Sequence, residues 1–168
     1  IILALKRERY SEVKRKMQSH STHAIILKKI FYSESSLIVN CLSPELGRVD
    51  FIAKGARKIG KNKMPELDLF REISVSFRES RTSGLHSISK SELIESNYAI
   101  SDFPSNFLMT VNVSAFIISN LHFHIHSRRL YTALRKMLKN FSEQKCGKKW
   151  PAFIKLVYLD EQGFLPKY

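Results

Sequence analysis

Five short segments with strand-like apolar patterns occupy the first part of the chain, and they restrict the fold more than any other feature. In the fourth segment Ile73, Val75 and Phe77 alternate with polar residues. This period-two pattern is typical of a half-buried β-strand. The pattern predicts strands at residues 24–32, 36–42, 48–53, 72–78 and 85–94.

The connections between these segments indicate how the strands close on one another. Pro44 and Gly47 suit a tight hairpin turn between the second and third strands. One long connection separates the third strand from the fourth. Five short strands with a single long connection favour a small closed barrel of the OB type.

The apolar spacing becomes helical after residue 101. Asp102 is a plausible N-cap residue with Pro104 just inside the helix. The apolar residues that follow at helical spacing are Phe107, Leu108, Val111, Ala115, Ile118 and Leu121. Two further helices are predicted at residues 127–141 and 150–162, with Gly163 as a stop signal.

The pattern therefore predicts an α+β chain in three parts. Residues 1–20 form a basic N-terminal arm without steady periodicity, which we expect to be disordered. Residues 21–98 form the five-stranded OB-fold barrel, which we expect to bind nucleic acid. Residues 99–168 form a helical domain.

The net charge of +13 at pH 7 indicates a polyanionic partner, with nucleic acid ahead of an anionic membrane. No apolar run is long enough for a membrane span. Cys41 and Cys146 lack CxxC spacing, which supports neither a zinc site nor a disulfide framework and fits a reducing cytoplasm.

A basic loop directly follows the third strand. Its cations, with no acidic residue among them, are Lys54, Arg57, Lys58, Lys61 and Lys63. Together with Arg48 on the strand, they are the candidate phosphate contacts of a nucleic-acid site. Phe31, Tyr32 and Phe51 are candidates for base stacking, but each suits a barrel core equally well. The alternative for the loop is an ordinary solvated surface.

The second predicted helix has a cationic side, on which Arg128, Arg129 and Arg135 are candidate contacts for an acidic protein partner. A solvated helix face is the competing interpretation, and further nucleic-acid binding is a third.

Neither the histidines nor the carboxylates indicate a metal site or a catalytic site. His122, His124 and His126 alternate, so they do not share one helical face as metal ligands would; a helix end is the preferred interpretation. The sequence contains no GxSxG, Walker or HExxH motif. We therefore expect a protein that is not an enzyme and holds no cofactor.

Several segments resemble the bacterial RecO family of DNA repair proteins. They are residues 24–27, 32–39, 47–49 and 53–58, the last reading AKGARK, with further likeness at residues 85–96 and 163–166. The resemblance covers residues 23–168. It implies an OB-fold barrel followed by a helical domain, with DNA contacts at Lys54, Arg57 and Lys58. The resemblance also implies that the helical domain is incomplete at its C-terminus, so that a family zinc site, if present, would lie beyond Tyr168.

The resemblance further implies a recombination mediator of the bacterial cytoplasm, associated with the nucleoid. It implies binding of single- and double-stranded DNA, annealing of complementary strands, and loading of the RecA recombinase with RecR. The implied protein contact is the acidic tail of single-strand binding protein. Two other interpretations stay open: an RNA-binding OB-fold protein, and a non-enzymatic interaction adaptor.

Overall fold

The computed structural model describes residues 19–57, 63–80, 82–144 and 147–166 of the chain. A 3-10 helix, Tyr98–Asp102, joins five strands to three α-helices. The strands are β1 (Ser19–Phe31), β2 (Leu37–Ser43), β3 (Gly47–Ala53), β4 (Glu72–Arg78) and β5 (Leu85–Glu95). The helices are α1 (Pro104–Asn120), α2 (Arg128–Ser142) and α3 (Trp150–Glu161).

The five strands form a closed barrel in the order β1-β2-β3-β5-β4. All neighbours are antiparallel except β3 and β5, which run parallel over residues 50–52 and 85–87. Strand β1 pairs with β4 through its first half and with β2 through its second half. This architecture confirms the predicted α+β fold with a five-stranded OB-type barrel before the helices.

Strand β1 is buried on both faces where it crosses from the barrel to the helices. Ala24 and Ile26 belong to the barrel core, whereas Ile25 and Leu27 belong to the helical core. Burial of an isoleucine or leucine side chain contributes about 1.5–3 kcal/mol, so this strand stabilises both layers. Double burial also explains why residues 24–27 form an unbroken apolar run instead of alternating.

Strand β1 begins earlier than the sequence predicts. Ser19 and His20, which the sequence assigns to the arm, pair with Arg78 and Phe77 of β4. This start corrects the predicted boundary of the arm by two residues, because hydrogen bonding to β4 extends the strand where the side chains are polar. The rest of the arm, residues 1–18, lies outside the described residues.

Helix α1 differs from its prediction in its cap and in its buried face. Its N-cap residue is Phe103, since Asp102 ends the 3-10 helix. Leu108 is 60% exposed, and the buried face instead includes Asn106 and Thr110. The side-chain amide of Asn106 donates to the carbonyl oxygen of Phe141 at 3.2 Å. This hydrogen bond offsets the cost of burying a polar side chain.

Helix α2 presents the strong apolar face that its spacing predicts. Its fully or nearly fully buried residues are Leu130, Leu134, Met137, Leu138 and Phe141. They share one cluster with Ile117 of α1 and Ile154 of α3. Four barrel residues, Ile25, Leu27, Leu42 and Phe70, join that cluster. The helices therefore pack directly on the barrel wall. The division at residue 98 remains our proposal for the domain boundary.

Candidate nucleic-acid interface

The basic loop leaves the barrel at the end of β3. Lys54 is exposed, Gly55 has φ of 74°, and Ala56 turns inward with 6% exposure. A left-handed φ favours glycine, because a β-carbon is strained there. Ala56 packs into the barrel core, so the cations on either side of it, Lys54 and Arg57, are held at the surface.

The remaining loop cations are only partly described. Lys63 is exposed on the return toward β4. Lys58 and Lys61 lie outside the described residues. Lys54, Arg57 and Lys63 are therefore the loop cations whose exposure the structure shows.

The loop packs against the β1–β2 hairpin through Arg57. Its backbone N–H donates to the carbonyl oxygen of Ser35 at 3.1 Å, and its Nη1 donates to that of Ser33 at 3.0 Å. The guanidinium carbon lies 4.4 Å from the ring centroid of Phe31. These contacts fix the first turn of the loop beside the end of β1.

The three aromatic candidates for base stacking differ in their solvent exposure. Phe51 is fully buried in the barrel core. Phe31 and Tyr32 are 66% and 64% exposed beside the basic loop. Two aromatic side chains are therefore available to solvent next to the cations, whereas Phe51 is a core residue.

Arg48 lies on β3, and its guanidinium has partners within the protein. Its Nη1 donates to the carbonyl oxygen of Ile118 at 2.6 Å, and its Nη2 lies 3.5 Å from Oδ2 of Asp50. The guanidinium also stacks on Phe123 at 4.6 Å. Arg48 therefore joins the barrel to the end of α1, and a phosphate contact at Arg48 stays a prediction.

Arg135 lies on α2 and neutralises a buried carboxylate. Its Nε donates to Oε2 of Glu72 at 2.7 Å, and the hydroxyl of Tyr131 donates to Oε1 at 2.9 Å. Glu72 is 2% exposed at the start of β4. Burial and the neighbouring carboxylate raise the pKa of Tyr131, so its hydroxyl keeps its proton. This cluster joins α2 to the barrel, and a partner contact at Arg135 stays a prediction.

Arg128 and Arg129 border a groove between α2 and α3 of about 290 Å³. Its apolar lining comes from Ala133, Phe153 and Val157, and Lys136 adds a third cation. We call this feature the α2–α3 groove. Arg129 also pairs with Asp160 at 2.6 Å, yet its side chain is 63% exposed. Sequence reasoning missed Phe153, whose helical spacing alone did not distinguish a groove from a core.

The alternating histidines lie in the connection after α1. Phe123 bridges to Gly47 and Arg48 of β3, and His124 has φ of 62°. His124 helps to line a pocket of about 180 Å³ with His20 and His86. Among the residues that the structure describes, no group of three metal-ligating side chains is placed to hold an ion. In the same ranges no helix has the length and apolarity to cross a membrane.

The fold and the site define the chain as an OB-barrel protein with an exposed cationic loop and a basic helical layer. Residues 17–97 match the family model described as recombination protein O N terminal. Over these residues the chain is similar to the RecO family.

Curated relatives carry the same family name. The DNA repair protein RecO of Mesoplasma florum is 25% identical over 129 residues, which are 76% of this chain and 48% of that protein. The DNA repair protein RecO of Thermodesulfovibrio yellowstonii is 28% identical over 149 residues, 89% of this chain and 59% of that protein. The DNA repair protein RecO of Syntrophus aciditrophicus is 28% identical over 154 residues, which are 88% of this chain and 57% of that protein. The chain thus spans about half the length of these relatives.

Proposed function

We propose that this chain is a DNA-binding mediator of recombinational repair that anneals complementary single strands. The observation that carries the proposal is the cationic loop after β3, with Lys54, Arg57 and Lys63 on a barrel of the RecO type. The relatives are named DNA repair proteins, which favours DNA over RNA as the polyanion.

Annealing follows physically from a dense, sequence-independent cationic surface. Phosphate contacts hold a strand without reading its bases, so the bases stay free to find a complement. Neutralising the backbone also reduces the repulsion between two approaching strands. We propose that the protein binds both single- and double-stranded DNA, works in the cytoplasm, and performs no bond-making chemistry.

A strand-annealing assay tests this function. Two complementary oligonucleotides that carry a donor and an acceptor dye report pairing by energy transfer. We expect the protein to accelerate pairing, and the combined change of Lys54, Arg57 and Lys63 to Ala to remove most of the acceleration. The matched control changes three exposed lysines outside the barrel to Ala: Lys139 of α2, and Lys148 and Lys149 of the turn before α3.

The control variant loses the same number of charges, so it separates a local site from a general effect of net charge. Equal loss in both variants would point to charge alone. No acceleration by the unchanged protein, or equal or tighter binding of RNA without annealing, would overturn the proposal in favour of an RNA-binding role.

We further propose that the protein helps to load the RecA recombinase, together with RecR, onto DNA coated by single-strand binding protein. The α2–α3 groove supports a contact with the acidic tail of that protein. Its rim carries Arg128, Arg129 and Lys136, and Phe153 offers an apolar surface that is 47% exposed. Cations around an apolar groove suit an acidic peptide that ends in hydrophobic residues.

Peptide binding tests the groove. A fluorescent tail peptide should bind the unchanged protein, and Phe153→Ala or Lys136→Glu should weaken that binding at least tenfold, about 1.4 kcal/mol. Leu156→Ala is the matched control, because Leu156 lies on the same helix, is 52% exposed and is outside the groove lining. Undiminished binding by Phe153→Ala would exclude the groove as the tail site.

A further inference from the structure

Phe31 is held in an unusual position for a large apolar side chain. It ends β1 with 66% of its surface exposed, yet it is not left without contacts. Arg57 covers part of the ring at 4.4 Å while its Nη1 donates to the carbonyl oxygen of Ser33. The ring is therefore restrained although much of it faces solvent.

A second cation, Lys29, lies near this ring. Nζ of Lys29 is 6.0 Å from its centroid and also pairs with Asp68. Lys54 is exposed three residues before Arg57 on the same loop. An aromatic face beside cations matches the chemistry of a nucleotide, whose base is a flat π-system and whose phosphate is an anion.

We propose that Phe31 is a stacking platform for one unpaired base of a bound strand, with Arg57 as the positioning residue that holds the ring. This inference rests on the proposed DNA binding and deepens it. In a duplex each base face is covered by its neighbours, so only a single strand can offer a base to Phe31. The loop cations bind any phosphate backbone, and Phe31 makes the site prefer unpaired DNA. Stacking accepts every base, as an annealing protein requires.

Binding to an oligothymidine and to an abasic oligonucleotide of equal length tests the platform. Both carry the same phosphates, but the second has no bases. At one fixed salt concentration we expect the full chain to bind the oligothymidine about tenfold more tightly, the effect of about one stacked base. Phe31→Leu should abolish this ratio and leave the affinity for the abasic strand unchanged.

Two further variants sharpen the test. Arg57→Lys keeps the charge but loses the planar guanidinium, so the ratio of oligothymidine to abasic affinity should fall toward one. Tyr98→Leu is the matched control, because Tyr98 is an exposed aromatic residue of the 3-10 helix, 70% accessible. The Tyr98→Leu variant should keep the full ratio of oligothymidine affinity to abasic-strand affinity.

The outcomes distinguish the platform from the proposed function. Equal binding of both strands by the unchanged protein, or a ratio that survives Phe31→Leu, would overturn the platform and leave phosphate binding intact. A ratio that falls equally in Tyr98→Leu would also overturn it. Failure to bind either strand would overturn the DNA-binding proposal itself.

Discussion

Replacing Arg135 by Ala should destabilise the fold by leaving a buried carboxylate with one partner fewer. The side chain of Glu72 is 3% exposed, and its Oε2 accepts from Nε of Arg135 at 2.7 Å. A hydrogen bond to a charged group contributes about 1.5–3 kcal/mol. Because the side chain of Arg135 is 59% exposed, solvent screens the pair, and we expect a loss of about 2 kcal/mol.

A double-mutant cycle isolates this interaction from lost packing. Glu72→Gln removes the charge, so Arg135→Ala in that background leaves no stranded carboxylate. The same change should then cost only about 0.5 kcal/mol, which gives a coupling of about 1.5 kcal/mol. Urea unfolding followed by circular dichroism, at constant pH and salt, measures each free energy of unfolding.

A matched arginine provides the control. Arg128 lies seven residues earlier on α2, is 79% exposed, and approaches Glu45 only at 3.9 Å. Arg128→Ala should change the free energy of unfolding by less than about 0.5 kcal/mol. Additive effects of Arg135→Ala and Glu72→Gln would refute the argument that Arg135 acts through the buried carboxylate.

Two other changes test the turn at β3 and the pocket histidine. Gly47→Ala should destabilise by more than about 3 kcal/mol, because its β-carbon would lie 2.1 Å from the carbonyl oxygen of Ile125. Gly84→Ala, at the same φ of 64° but with no atom within 4 Å, should cost only about 1 kcal/mol; equal melting temperatures would contradict this account. Burial lowers the pKa of His86, so the folded state favours the neutral ring. Stability should fall as the pH drops below the ordinary value of 6.5, where the unfolded chain binds the proton first. His86→Gln should flatten that fall in urea titrations at several pH values, and an unchanged pH profile would exclude His86 as its source.

The barrel was predictable because its strands alternate wherever one face is buried. Residues 72–78 are predicted and observed as one strand with the same bounds. The early start of β1 was not predictable, because residues 19–23 are polar and are held by hydrogen bonds to β4. Local patterns record side-chain burial, not the backbone partners that extend a strand.

The roles of the cations were the least predictable part of the site. Arg48, Arg57 and Arg135 look alike in sequence, since each is a basic residue near an apolar segment. Their partners are remote: Arg135 meets Glu72, 63 residues away, and Arg48 meets the carbonyl oxygen of Ile118, 70 residues away. Only the fold shows which groups each guanidinium contacts, such as the Ser33 carbonyl oxygen and the Phe31 ring for Arg57.

The salt dependence of single-stranded DNA binding tests the central claim most directly. Each phosphate that the protein neutralises adds about 0.7 to the slope of log K against log salt for a single strand. Changing Lys54, Arg57 and Lys58 together to Ala should therefore lower the slope by about two units. The variant with Lys139, Lys148 and Lys149 changed to Ala should keep the slope of the unchanged protein. An unaltered slope in the loop variant would contradict the claim that the loop after β3 holds the DNA backbone.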